Sequence, residues 1–253
     1  MALKSYTYIV ASLHGRTGKT LLSRLLADEA ILSGHHPEIF DTDVSERKLA
    51  SYFPERAVAI DLDRVPDQMK LFDTLTAPAA VPRVVDVTHR AFRKFFKLMQ
   101  EIGYAAEARS HGTEPVIVYI LDREEESYIQ GRVLRDHFRD CHFIIVENAL
   151  LGKPDKQIQQ GTAYRALTGN DLTLHLPALD PMFVGVIDDP KLSLSEFMSE
   201  TPVERRTGEL SLAYLSLEAR ASIRVWLKEI FGEIHRLNEI VNLRSDLSFK
   251  RPF

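Results

Sequence analysis

The stretch His14-Gly15-Arg16-Thr17-Gly18-Lys19-Thr20 concentrates the residues best suited to phosphate chemistry. Gly15 and Gly18 allow the backbone to curl so that successive N–H groups, from Gly15 through Leu21, face one anion. A helix opening near Lys19 adds the positive end of its dipole. The Lys19 ammonium would then reach the terminal phosphates of a nucleotide, and the Thr20 hydroxyl would coordinate magnesium. Strict GxxxxGK[ST] spacing requires glycine at position 13, where this chain has Leu13. A tight turn before a basic-capped helix is the bland reading, so the surrounding elements decide.

Those elements fit. Tyr6 to Leu13 is a β-branched and aromatic run that reads as a buried strand. From Thr20, Leu21, Leu22, Leu25, Leu26 and Ala30 recur at helical spacing until Ser33-Gly34. Pro37 to Phe40 leads into Asp41 and Asp43, followed by a polar, helix-like stretch through Tyr52. Ala57 to Leu62 precedes a helix-like segment, Val84-Val85 leads into Asp86, and Arg90 to Ile102 is a further helix. Pro115 to Leu121 is a continuous apolar strand, Glu124 to Phe138 a helix, and Cys141 to Val146 another strand. Strands alternating with helices predict an α/β fold: a three-layer, doubly wound, mostly parallel sheet flanked by helices. After Asn148, Gly and Pro punctuate a region with one plain strand, Leu172 to Leu176. A helix carrying the stripe Ile223, Trp226, Leu227, Ile230, Phe231, Ile234, Leu237 and Val241 closes the pattern. The expectation is one domain over 1–253, with nucleotide motifs in 6–148 and a C-terminal helical part at about 208–243.

Bulk composition narrows the classes. With 253 residues, 45% hydrophobic and 27% charged, the chain can bury a substantial core. A formal charge of -4 argues against coating nucleic acid through bulk electrostatics, so any DNA contact must be local. One cysteine, Cys141, excludes an internal disulfide and a cysteine-based zinc cluster. The N-terminal apolar run breaks too soon for a signal peptide, and no segment has the apolar length of a membrane span. A cytoplasmic protein is expected.

HGRTGKT resembles the KGGxGKT loop of the ParA/MinD family of dimeric P-loop ATPases. The resemblance extends to Asp41-Thr42-Asp43, similar to the family's DxD, to Asp86 at the Walker B position, and to Asn148 closing FIIVEN. It spans Tyr6 to Asn148, and it implies a cofactor pair of ATP and Mg2+. Asp86 would hold the metal with Thr20, Asp41 would support the metal shell or a switch segment, Asp43 would orient the attacking water, and Asn148 would read the adenine. The resemblance further implies an ATP-dependent homodimer and a protein partner, in partition of a plasmid or chromosome, conjugation accessory function or intracellular positioning.

Two loop positions depart from that pattern. His14 stands where the family has the lysine that reaches the partner's nucleotide, and Arg16 stands in place of its second glycine. Arg16 can clamp phosphate bidentately, and His14 offers a weaker cation, so both join Lys19 and Asp43 as candidate catalytic residues. Two alternatives to a hydrolysing switch follow: a nucleotide-stabilised scaffold without turnover, and a small-molecule kinase using Arg132, Arg135 and Arg139. Arg90, Arg93, Lys94 and Lys97 interleave with Phe92, Phe95 and Phe96, which reads first as a helix with one core face and one solvated face. His35-His36 reads as solvent-exposed, and the terminal SFKRPF has too few apolar positions for stable membrane insertion.

Overall fold

The computed structural model of the chain describes residues 5–78, 81–168, 172–199 and 216–249, the side chains of 246–249 excepted. From the N-terminus, β1 (Ser5–Ala11) leads through the glycine loop into α1 (Lys19–Leu32), which Gly34 ends at a φ of 84°. Then follow β2 (Glu38–Asp41), α2 (Lys48–Tyr52), β3 (Ala57–Ala59), α3 (Val65–Thr76) and β4 (Arg83–Asp86). Next come α4 (Phe92–Glu101), α5 (Tyr104–Ser110), β5 (Thr113–Leu121), α6 (Glu125–His137) and β6 (His142–Asn148). The chain continues through α7 (Lys156–Gln160), α8 (Thr162–Leu167), β7 (Thr173–Leu176), α9 (Pro181–Ile187), α10 (Leu194–Met198) and α11 (Leu217–Phe249).

The seven strands form one parallel sheet in the order β3-β2-β4-β1-β5-β6-β7. Successive residues of a strand face opposite sides, and here both sides are apolar. Tyr8, Val10, Val84, Val116, Val118 and Ile120 pack on the face covered by α1 and α11, whereas Ile9, Ala11, Val85, Ile117, Tyr119 and Leu121 pack on the face covered by α3 to α6. The result is the predicted three-layer, doubly wound α/β architecture. All nine residues of β5 are buried, as a central strand between two helical layers requires. Pro115 is tolerated in it because pairing with β6 begins only at Val116, so the missing N–H falls where β5 is paired on one side alone.

The amphipathic assignments hold. Phe92, Phe95, Phe96 and Met99 of α4 are buried while Arg90, Arg93 and Lys97 are exposed, and all eight residues of the α11 stripe are buried. Each such buried side chain is worth about 1.5–3 kcal/mol relative to exposure. α11 is therefore fixed by its apolar face against β7, α1 and α10 more than by helix propensity.

Differences from the sequence reading are local. β1 ends at Ala11, two residues early, because Ser12 already turns into the loop. The polar stretch before Tyr52 is a turn at Asp43–Arg47 and only a five-residue helix. The Gly- and Pro-rich region after Asn148 carries the four short helices α7 to α10, too short to show periodicity. Residues 208–215 of the expected C-terminal helical part, and Lys250 to Phe253 of SFKRPF, lie outside the described residues. Among the described residues no helix is long and apolar enough to cross a membrane.

Candidate functional site

The sheet order brings the carboxyl ends of five strands together around the glycine loop. Ser12 follows β1, Asp41 ends β2, Asp86 ends β4, Asp122 follows β5 and Asn148 ends β6. In open α/β sheets this edge is where ligands bind. The loop residues, Asp41, Asp43, Asp86 and Asn148 thus come from separate elements and converge.

The loop itself is held from inside. Lys19, only 7% exposed, turns its ammonium back to donate to Ser12 Oγ and to the His14 carbonyl, each at 2.8 Å. Ser12 Oγ in turn donates to the His14 carbonyl at 2.7 Å and lies 2.7 Å from Thr17 Oγ1. Burial lowers the Lys19 pKa from its ordinary value, against the charges of Asp86, Asp122 and Asp43, which favour the ammonium. The first intrahelical bond of α1 runs from the Leu22 N–H to the Gly18 carbonyl. The N–H groups of Lys19, Thr20 and Leu21 are therefore those the helix geometry leaves without an intrahelical partner, and no side chain caps them at Gly18. The Leu21 side chain is half-buried against the core, so only its backbone serves the loop.

Two glycines and one arginine shape the curl. Gly18 has a φ of 96°, and a Cβ there would lie 2.9 Å from Asn148 Nδ2, so glycine is demanded twice. At Gly15 a Cβ would come within 3.3 Å of the His89 ring. Arg16 occupies the left-handed region with a φ of 60°, a conformation costly for a residue with a Cβ. Its side chain is exposed.

Opposite the loop, Thr20 Oγ1 donates to Asp86 Oδ2 at 2.7 Å. Asp86 is buried, and its Oδ1 has no hydrogen-bond partner among the described residues. Burial pushes its pKa up to about 7, with the Asp41 charge adding to the rise; the Thr20 hydrogen bond, Lys19 and the nearby Ser23 hydroxyl, which makes no well-formed hydrogen bond to it, oppose it. A buried carboxylate beside a hydroxyl is a hard oxygen donor set, so the Thr20–Asp86 pair fits magnesium. Asp41 is engaged differently: its Oδ1 accepts the Asp43 N–H at 2.9 Å and its Oδ2 the Ala50 N–H at 3.1 Å. It ties the end of β2 to α2.

Asp43 Oδ1 caps the turn that follows, accepting from the Ser45 hydroxyl at 2.5 Å and from the Ser45 and Glu46 N–H groups at 3.1 Å. Its Oδ2 receives a long bond, 3.3 Å, from Thr88 Oγ1. Burial would raise its pKa, but these hydrogen bonds outweigh it and hold Asp43 below the ordinary carboxylate value. Asn148 is also occupied: its Nδ2 donates to the Thr17 carbonyl at 3.0 Å and its Oδ1 accepts the Leu150 N–H at 3.0 Å. In this geometry Asn148 braces the loop.

Sequence reasoning missed Asp122, whose Oδ2 lies 2.7 Å from His14 Nδ1, and Ser12 and Thr88 around the loop; His89, read with the basic and aromatic run after Asp86, lies instead against Gly15. Asp122 had a signal, a carboxylate directly after a buried strand, but only the sheet order brings it to His14. Arg132 and Arg135 are exposed on α6 and Arg139 in the turn after it, with Arg135 donating to the Ala166 carbonyl. His35 and His36 are exposed, and among the described residues no cluster of His, Cys, Asp and Glu is set to hold a metal by itself.

The structure is thus a seven-stranded parallel sheet between two helical layers, with the glycine loop after its middle strand. No protein-family model and no curated protein matches the chain. Among solved structures it is similar to a nucleotide-binding protein in complex with ADP from Archaeoglobus fulgidus, at 13% identity and a TM-score of 0.45, over 72% of this chain and 85% of that one. It is similar also to a plasmid partition protein from Borrelia burgdorferi, at 12% identity and a TM-score of 0.43, over 74% and 95% of the two chains. A third likeness is to the MinC:MinD cell division protein complex of Aquifex aeolicus, at 13% identity and a TM-score of 0.43, over 73% and 85%.

Proposed function

We propose that the chain is an ATP-binding, slowly hydrolysing dimeric switch of the ParA/MinD type, serving partition, conjugation or intracellular positioning through a protein partner. The observation that carries this reading is the placement of buried Lys19 over the loop beside the Thr20–Asp86 pair, at the carboxyl ends of β1 and β4. The N–H groups at the start of α1 and the Lys19 ammonium would bind the phosphates. Thr20 and Asp86 would hold Mg2+, which when bound supplies positive charge to the phosphate oxygens. Asp43 Oδ2, with its single long bond from Thr88, has the capacity to orient water. Asp41 would link the site to α2 as a switch segment. The exposed Arg16 guanidinium and the partly exposed His14 imidazole are the loop side chains that a second copy would meet.

One observation favours binding without turnover. Asp43 Oδ1 is committed to the 44–46 turn, which restrains the carboxylate that hydrolysis would use. Light scattering of the protein with magnesium and ATP, beside its Asp43→Ala variant, separates the two readings when turnover is measured in parallel. A switch dimerises with ATP, and the variant holds the dimer longer. A scaffold binds ATP in both forms with no phosphate release. Lys19→Ala abolishes nucleotide binding in either case, and unchanged binding in that variant would refute the site.

A further inference from the structure

We infer that Asp122 is a positioning residue for His14, fixing its ring as the Nδ1–H tautomer and leaving Nε2 as a hydrogen-bond acceptor beside the phosphate loop. What Nε2 meets rests on the nucleotide-binding reading above, whereas the pairing itself rests on geometry alone. His14 Nδ1 and Asp122 Oδ2 are 2.7 Å apart, although 108 residues separate them in the chain. A carboxylate only accepts, so Nδ1 carries a proton, and in the neutral ring the lone pair is then on Nε2.

Both partners are fixed before they meet. The Asp122 side chain is 10% exposed; its Oδ1 accepts the Glu124 N–H at 2.9 Å, and its own N–H donates to Ser127 Oγ at 3.3 Å. The His14 carbonyl accepts from both Lys19 Nζ and Ser12 Oγ. The imidazole, 40% exposed, is therefore pinned at its backbone and at Nδ1, with Nε2 the remaining polar atom. A partly exposed pair of this kind contributes little to stability, so orientation of the ring is its main effect. An Nε2 acceptor takes a hydrogen bond from water and not from an ionised phosphate oxygen, so the dyad is set to hold a water next to the phosphates.

Asp122→Asn is a sharp test because Glu124 N–H keeps the amide oxygen on its own side. The amide NH2 is then turned to His14 Nδ1, and the ring proton must move to Nε2. The experiment is two-bond nitrogen–proton correlation NMR of the histidine rings in the full chain, with the His14 signals assigned by His14→Gln. The wild-type protein is expected to show His14 protonated on Nδ1, the Asp122→Asn variant protonated on Nε2, and Asp122→Glu restored toward wild type. ADP with magnesium is expected to move the His14 Nε2 signal in the wild type. In Asp122→Asn, phosphate release is expected to fall about tenfold or more with the Kd for ATP unchanged. An Nε2–H tautomer in the wild type, or identical ring signals in Asp122→Asn, would overturn the inference. Failure of the wild type to bind ADP or ATP sinks the nucleotide reading instead and leaves the tautomer result standing.

Discussion

Thr20 Oγ1 and Asp86 Oδ2 meet at 2.7 Å across the mouth of the sheet, joining the first turn of α1 to the end of β4. That contact satisfies one oxygen of Asp86 and leaves the other buried without a hydrogen-bond partner among the described residues. Burial of this carboxylate therefore carries a cost that the Lys19 charge and the Thr20 hydrogen bond offset only in part.

This cost has a sign in pH. The folded-state pKa of Asp86 is raised from 3.8 to about 7, chiefly by burial. Between those values the native state holds the proton better than the unfolded chain, so this group's contribution to stability falls as pH rises, and the penalty is complete above about 7. Asp86→Asn keeps an acceptor for Thr20 and removes the charge. It is expected to raise the unfolding temperature of the nucleotide-free protein at pH 8, with the gain shrinking toward pH 5 and amounting to a few kcal/mol at most, at about 1.4 kcal/mol per pK unit. The same variant loses any stabilisation by magnesium. Thermal unfolding at pH 5, 6.5 and 8 decides; equal melting of the two proteins at pH 8 would show that Asp86 is not penalised.

Arg16 at a φ of 60° predicts an unusual substitution order. Glycine adopts this backbone freely but adds entropy to the unfolded chain, and a β-branched residue there is strained. Arg16→Gly is expected to stay within about 1 kcal/mol of the parent, whereas Arg16→Val loses about 1–3 kcal/mol. Urea denaturation measures both. A valine variant as stable as the glycine one would mean that the loop relaxes out of the left-handed conformation.

How far the sequence revealed this site depends on range. The loop was legible because strand, glycines, Lys19 and helix are contiguous, and Asp86 because it directly follows Val84-Val85. The α4 and α11 faces were legible from periodicity, since both bury one stripe. Asp122 was not, because nothing within its own segment indicates that β5 lies beside β1. The engaged amide of Asn148 and the orphaned oxygen of Asp86 depend on tertiary geometry that spacing does not encode. Helices α7 to α10 escaped notice because five to seven residues make too few turns for a periodic signal.

Gly18 and Asn148 form a coupled pair. Gly18→Ala meets both a φ of 96° and Asn148 Nδ2 at 2.9 Å, so its cost has a backbone part and a steric part. Asn148→Ala removes the steric part, while it also removes the bond to the Thr17 carbonyl. The double variant is expected to be less destabilised than the sum of the singles, by about 0.5–2 kcal/mol of coupling. A double-mutant cycle by urea denaturation checks this, and strict additivity would mean that the two residues do not touch in solution.

Arg24 and Asp28 make the last prediction, because they are buried one turn apart on α1 with side chains 1% exposed. Arg24 donates to the Ile187 and Leu192 carbonyls and lies over the Tyr52 ring at 3.9 Å, while Asp28 Oδ1 accepts the Ser195 N–H at 3.0 Å. Tyr52 and Lys48 of α2 both donate to Asp188. The helix that follows the glycine loop, the α2 segment tied to Asp41, and the residues from Ile187 to Ser195 thus share one polar cluster. Burial lowers the Arg24 pKa and raises that of Asp28, so each charge depends on the other and on these hydrogen bonds. Arg24→Met strands the Asp28 carboxylate and is expected to cost about 3–5 kcal/mol, whereas Arg24→Met with Asp28→Leu recovers much of the loss. Hydrogen exchange should localise the damage in Arg24→Met to residues 187–195 and to α2. Loss confined to α1 would show that the cluster packs the helix without joining it to the segments around Asp41 and Asp188.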